Sequence, residues 1–107
     1  MINGNRKGDY TMIKVVAKQV IKADKIEEFL QAAKQLVQDT NQKDAGCISY
    51  DLYQDVSNSQ VLTIIEEWEN KESLDQHMKA EHFQKAMVVF KDFTEGEGEI
   101  NLYQKLS

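Results

Sequence analysis

Residues 64–83 read I-I-E-E-W-E-N-K-E-S-L-D-Q-H-M-K-A-E-H-F, and the fold turns on this stretch. An apolar run that ends at Trp68 gives way to turn chemistry at residues 70–73, after which Leu74, His77 and Met78 recur at helical spacing. A strand therefore feeds a helix. Continuing that stripe would need apolar residues at 81 or 82, which hold Glu81 and His82, and a second stripe starts at Phe83 and runs through Ala86, Met87 and Phe90. Two short helices with a kink at residues 79–81 fit this better than one rod. The stretch also contains the single Trp and both His of the chain. Trp68 and Glu66 at a strand end, facing a helix-borne His77, would make a small, half-dry pocket with one titratable base.

Working outward, residues 61–68 are apolar on both faces as far as Ile65, which marks a central strand. Residues 47–54 place Ile48, Tyr50 and Leu52 on one face, and the turn-rich 55–60 joins the two strands as a hairpin. Residues 12–22 alternate, with Ile13, Val15, Ala17 and Ile21 on one face. Asp24 and Glu27 predict a helix N-cap with a capping-box partner. Ile26, Phe29, Leu30, Ala33, Leu36 and Val37 then follow the helical period, which fades near Thr40. After Gly96 and Gly98, Ile100, Leu102 and Leu106 alternate with polar residues as the last strand.

The order is β-α-β-β-α-β. Right-handed crossovers turn it into an α+β, ferredoxin-like sandwich with an antiparallel sheet ordered 4-1-3-2 and both helices on one face. The strands are apolar on both faces, so the uncovered face calls for a partner, most simply a second copy of the chain. Residues 1–11 are expected to be a loose leader, and residues 12–107 a single domain.

The totals narrow the class. With 107 residues, 41% hydrophobic and 29% charged, the chain has the makeup of one ordinary globular domain. Its net charge of −5 is dispersed, without the basic cluster that nucleic-acid binding needs. The longest apolar run, residues 86–90, is far short of the roughly 20 residues of a membrane helix. No signal-peptide pattern opens the chain, and the one cysteine, Cys47, fits a reducing compartment, so a cytoplasmic location is expected.

The element order, Gly46-Cys47 with Tyr50 on the second strand, Glu66-x-Trp68, and Leu74-x-x-His77 followed by Glu81-His82-Phe83 resemble the antibiotic biosynthesis monooxygenase family, in particular its quinol-monooxygenase-like branch. The resemblance implies a homodimer whose sheets pack into an α+β barrel, with a pocket between sheet and helices in each protomer. It also implies, for some members, oxidation of quinols or polyphenols by O2 without metal, flavin or haem. Ile64 stands where some polyketide-oxidising members carry Asn, and residues 12–22 lack the Asn of the haem-degrading branch, which argues against haem degradation.

Cofactor-free oxygenation needs a base near neutral pKa, a dry pocket and donors for the resulting anion. His77 is the candidate base, against an equally ordinary role as a hydrogen-bonded structural His. Glu66 would orient His77 or carry a proton itself if burial raises its pKa; a paired strand-end carboxylate is the plainer reading. Trp68 and Tyr50 are the candidate substrate-binding residues, the first as an aromatic wall with an N–H donor, the second as a phenol donor. His82 reads as a capping or surface residue. No metal site is expected: His77 and His82 are five apart, off the spacing that puts two ligands on one helix face. No glycine-rich phosphate loop precedes a helix, so no nucleotide cofactor is expected. Alternatives on the same scaffold are a non-oxidative small-molecule isomerase and a non-catalytic ligand-binding dimer.

Overall fold

The structure is a computed structural model that describes residues 12–107; the expected leader at 1–11 lies outside the described residues. Strand β1 (Ile13–Val20) leads through a 3-10 turn (Ala23–Lys25) into helix α1 (Ile26–Lys43). Strands β2 (Cys47–Gln54) and β3 (Val61–Trp68) form the hairpin, α2 (Lys71–Lys79) and α3 (Glu81–Phe90) follow, and β4 (Glu99–Gln104) closes the sheet. The sheet order is β2-β3-β1-β4, antiparallel throughout. This is the expected ferredoxin-like order, and β3 is central as its two-sided apolar character required.

The helices cover one face of the sheet. On β3 that face carries Leu62, Ile64, Glu66 and Trp68, all buried, alternating with half-buried residues that point the other way. Phe29, Ala33 and Leu36 of α1 and Phe90 of α3 close over it. The helical break falls where the stripe lost phase: Ala80 is extended (φ −67, ψ 145), and its N–H donates to the His77 carbonyl at 3.0 Å. Asn70 caps α2 by accepting from the Ser73 N–H at 2.9 Å.

Three local expectations are corrected. The capping box at Asp24 does not form: Asp24 lies inside the 3-10 turn, which closes through Lys25 N–H to the Lys22 carbonyl at 2.9 Å, and α1 starts at Ile26 without a side-chain cap. The helix does not fade at Thr40. Thr40 is fully buried, and the Asn41 amide donates to the Tyr50 carbonyl at 2.8 Å, so tertiary contacts carry α1 on to Lys43. Ile48 does not share a face with Tyr50. The register passes from Cys47 opposite Trp68 to Ser49 opposite Glu67, so Ile48 is the extra residue of a β-bulge and is 46% exposed, while Tyr50 is turned inward and buried.

Candidate active site

Residues on all four strands line one side of a cavity of about 120 Å³. Across β1 and β3 the floor pairs Val15 with Glu66, Ala17 with Ile64 and Gln19 with Leu62. Leu74, His77 and Met78 from α2 and Phe83 and Met87 from α3 form the opposite wall. The core of this space is on the scale of one aromatic ring, since an engineered apolar cavity of about 150 Å³ holds benzene. Ile100 and Leu102 of β4 form an open apolar lip, 68% and 49% exposed, because no helix reaches that edge.

His77 sits on this cavity, buried, its ring centroid 5.1 Å from Tyr50, 4.8 Å from Trp68 and 4.7 Å from Phe83. Its Nδ1 lies 2.6 Å from Asp44 Oδ2, and its Nε2 is buried with no hydrogen-bond partner. A carboxylate accepts only, so the Nδ1 proton stays on the imidazole and Nε2 keeps the free lone pair. Burial lowers the His77 pKa, with the Asp44 hydrogen bond and charge pulling it back up. The ring is thus a neutral base, oriented from behind.

Glu66 lines the same cavity, buried, and burial raises its carboxyl to a pKa of about 7, against the lowering effect of its hydrogen bond with Trp68. Of the roles weighed for Glu66, orienting His77 is corrected: Glu66 Oε1 accepts from Trp68 Nε1 at 2.9 Å, and the carboxylate hydrogen-bonded to His77 is Asp44. Trp68 is corrected too. It is fully buried and absent from the cavity lining, its N–H already engaged by Glu66, so it positions Glu66 rather than walling the pocket. Tyr50 does line the cavity; burial, then the charges of Glu66 and Asp44, push its hydroxyl pKa upward and keep it a protonated donor.

Asp44 is the residue of this candidate site that the sequence reading passed over. It stands at the end of α1, where its N–H closes the helix onto the Thr40 carbonyl at 3.1 Å. In a sequence it looks like any turn aspartate. His82 approaches the same carboxylate at 3.0 Å, because the break at Ala80 re-aims the second helix. The five-residue spacing that argued against a shared site assumed one continuous helix. Ligand-type atoms of Asp44, His77 and His82 lie within 4.8 Å of one another, the one such group among the described residues. An ion there would displace the hydrogen bonds that already join the three. No described helix is long and apolar enough to cross a membrane.

Residues 12–88 match the sequence profile of the family described as antibiotic biosynthesis monooxygenase. An uncharacterized protein of Synechocystis sp., sll1783, is 31% identical over 92% of this chain, which spans 66% of that protein's length. A conserved protein of Methanosarcina mazei Go1 with a crystal structure is 38% identical, with a TM-score of 0.87 over 94% of this chain and 98% of its own. A crystal structure of an antibiotic biosynthesis monooxygenase superposes with a TM-score of 0.83 at 27% identity, covering 89% of this chain and 99% of the other.

Proposed function

Because this chain belongs to the antibiotic biosynthesis monooxygenase family, we propose that it oxidises a small quinol or phenol with O2, without a bound cofactor. The observation that carries the reading is the buried, unpartnered Nε2 of His77 on an apolar cavity, with Asp44 holding the opposite nitrogen.

Ground-state O2 reacts slowly with closed-shell molecules because of its spin, and an electron-rich phenolate overcomes this by passing it one electron. His77 Nε2 takes the phenol proton, and Asp44 stabilises the imidazolium. Superoxide and the phenoxyl radical combine at a ring carbon that still carries hydrogen, forming a C–O bond, and the peroxide takes the proton back from His77. Loss of the ring hydrogen and cleavage of the O–O bond then give a ring carbonyl and water. The sum is phenol plus O2 to quinone plus water, with all electrons drawn from the substrate. Glu66, which titrates at about 7, is suited to protonate the departing oxygen, and the Tyr50 hydroxyl to donate to the anion. The apolar lining keeps water from quenching the intermediates.

Oxygen uptake with a panel of quinols, wild type against His77→Ala and Asp44→Asn, tests this. Both variants should lose about 10²- to 10⁴-fold in kcat while remaining folded. Undiminished uptake in His77→Ala would remove His77 from the chemistry. One observation favours a second reading: Glu66 and His77 border the same cavity with pKa values displaced in opposite directions, which suits a proton-moving isomerase. Equal turnover without oxygen would select it. The homodimer and the cytoplasmic location belong to the same proposal. The first is supported by the sheet face that the helices leave uncovered, and the second by the single half-buried Cys47.

A further inference from the structure

The cavity floor is polar at both ends, and the proposed chemistry uses only one of them. The rung of Val15 and Glu66 lies on the His77 side, because Tyr50 pairs with Glu66 and its ring packs on His77. The middle rung, Ala17 with Ile64 and Ile100, is wholly apolar. The third rung brings Gln19. This residue lines the same cavity, and its Oε1 is buried without a hydrogen-bond partner. The side-chain atoms buried and unpaired among the described residues are Gln19 Oε1, Thr40 Oγ1 and His77 Nε2, and two of these three belong to cavity-lining residues. An amide carbonyl kept dry and unpaired is costly, and such groups persist where a ligand or water completes them.

Gly98 leaves the place open for it. A Cβ at 98 would stand 3.0 Å from the Lys18 carbonyl oxygen and 3.3 Å from Gln19 Cγ, so the Gln19 stem lies against bare backbone.

We propose that Gln19 is the second anchor of the substrate: the ligand is an elongated, uncharged aromatic with its ionisable hydroxyl at the His77 end and a second hydrogen-bond donor, hydroxyl or N–H, at the Gln19 end. The identity of the first hydroxyl rests on the reading of His77 as the base. Residues 15 and 19 are separated by roughly 13 Å along the strand. Inward-leaning side chains shorten that span, yet it exceeds the one ring that the enclosed core holds, so a ligand of two fused rings, or a ring with a short arm, extends along the open lip of Ile100 and Leu102. The apolar middle rung requires an apolar centre in the ligand. A neutral amide carbonyl selects a neutral donor and repels a carboxylate.

Calorimetric titration under anaerobic conditions tests this with two probes, 2,6-dihydroxynaphthalene and 6-methoxy-2-naphthol. The ether keeps the ring and one hydroxyl but lacks the second donor. Wild type should bind the diol about tenfold more tightly than the ether. Gln19→Met, of similar length but without an acceptor, should bind both alike, at the affinity of the ether. Gln19→Asn, whose amide falls short, should reduce the preference in the same direction if the Met variant fails to fold. A wild-type protein that binds neither probe, or that does not prefer the diol, overturns the proposal, as does a preference that survives in Gln19→Met. Oxygen uptake with the diol is read separately. Its absence alongside Gln19-dependent binding would sink the oxygenase reading and leave the anchor standing.

Discussion

At the residue scale, the site depends on which buried groups are free to hold a proton. Glu66 has its carboxyl raised from 4.5 to about 7 by burial, so the folded state binds its proton more tightly than the unfolded chain. Its contribution to stability is full below about 4.5 and is lost as pH rises to about 7, a change of about 3 kcal/mol. His77 acts in the opposite sense. Its lowered pKa favours the neutral ring when folded, so its contribution is present above 6.5 and is lost as pH falls below that value. The two slopes overlap, and a substitution separates them. Glu66→Gln keeps an acceptor for Trp68 Nε1 and removes the titration, so the variant should gain on wild type by about 3 kcal/mol between pH 4.5 and pH 7.5. Urea unfolding of both proteins across that range measures it; a constant difference would mean that Glu66 titrates as if exposed. The gathering of His77, Glu66 and Tyr50 around one cavity was legible in the sequence because each has a distinctive side chain at a position set by period. Asp44 and Gln19 were not. An aspartate after a helix is common turn chemistry, and only the third dimension brings it to His77. Gln19 did leave a trace, as the polar member of the face shared by Ile13, Val15, Ala17 and Ile21.

At the element scale, the joints decide where the site residues meet. The break at Ala80 was readable because a lost hydrophobic phase leaves a mark in one dimension. The bulge at Ile48 left none, since an inserted residue costs one register step that only the partner strand reveals. The capping box at Asp24 matched its pattern and lost to a 3-10 entry that turns the chain under the sheet. The joint between α1 and β2 is the most constrained. Gly46 has φ +82, and a Cβ there would fall 2.0 Å from Ser73 Oγ and 2.5 Å from Ser73 Cβ, while its carbonyl accepts from the Glu69 N–H at 2.9 Å. The turn therefore presses directly on the first turn of α2, the helix that carries His77. Gly46→Ala combines a left-handed backbone penalty with a steric overlap, and should cost at least about 2 kcal/mol. In a domain of this size that lowers Tm by roughly 8 °C or more in calorimetry. An unchanged Tm would show that the α2 terminus yields freely, and that the site is less rigid than its contacts imply.

At the scale of the whole molecule, the described residues cover the sheet on one side only. Its open face carries Val16 opposite Ile65 and Val20 opposite Val61, with Lys18 opposite Thr63 between them and Asp51 and Asn101 on either side of the Ile65–Val16 pair, flanked by Tyr53 and by Lys14 paired with Glu67 at 3.7 Å. Apolar pairs interleaved with polar ones are compatible with an interface, whose area is only a little over half apolar. The described residues supply the demand for a cover and nothing among them meets it, so sequence and monomer alike reach only the need. A second copy would meet it by the symmetry of a two-fold interface, in which the same patch serves both sides. The expected state in solution is a dimer, measured by sedimentation equilibrium. Ile65 lies at the centre of the open face, and its side chain points away from the cavity. Ile65→Lys would place two charges against each other across the two-fold axis without touching His77, Glu66 or Gln19. It should shift the protein to monomer while near-UV circular dichroism of Trp68, buried on the opposite face, stays native. A wild-type monomer at micromolar concentration would remove the dimer from the proposal. An Ile65→Lys dimer would move the interface to the exposed lip of Ile100 and Leu102, where a partner would stand at the mouth of the cavity.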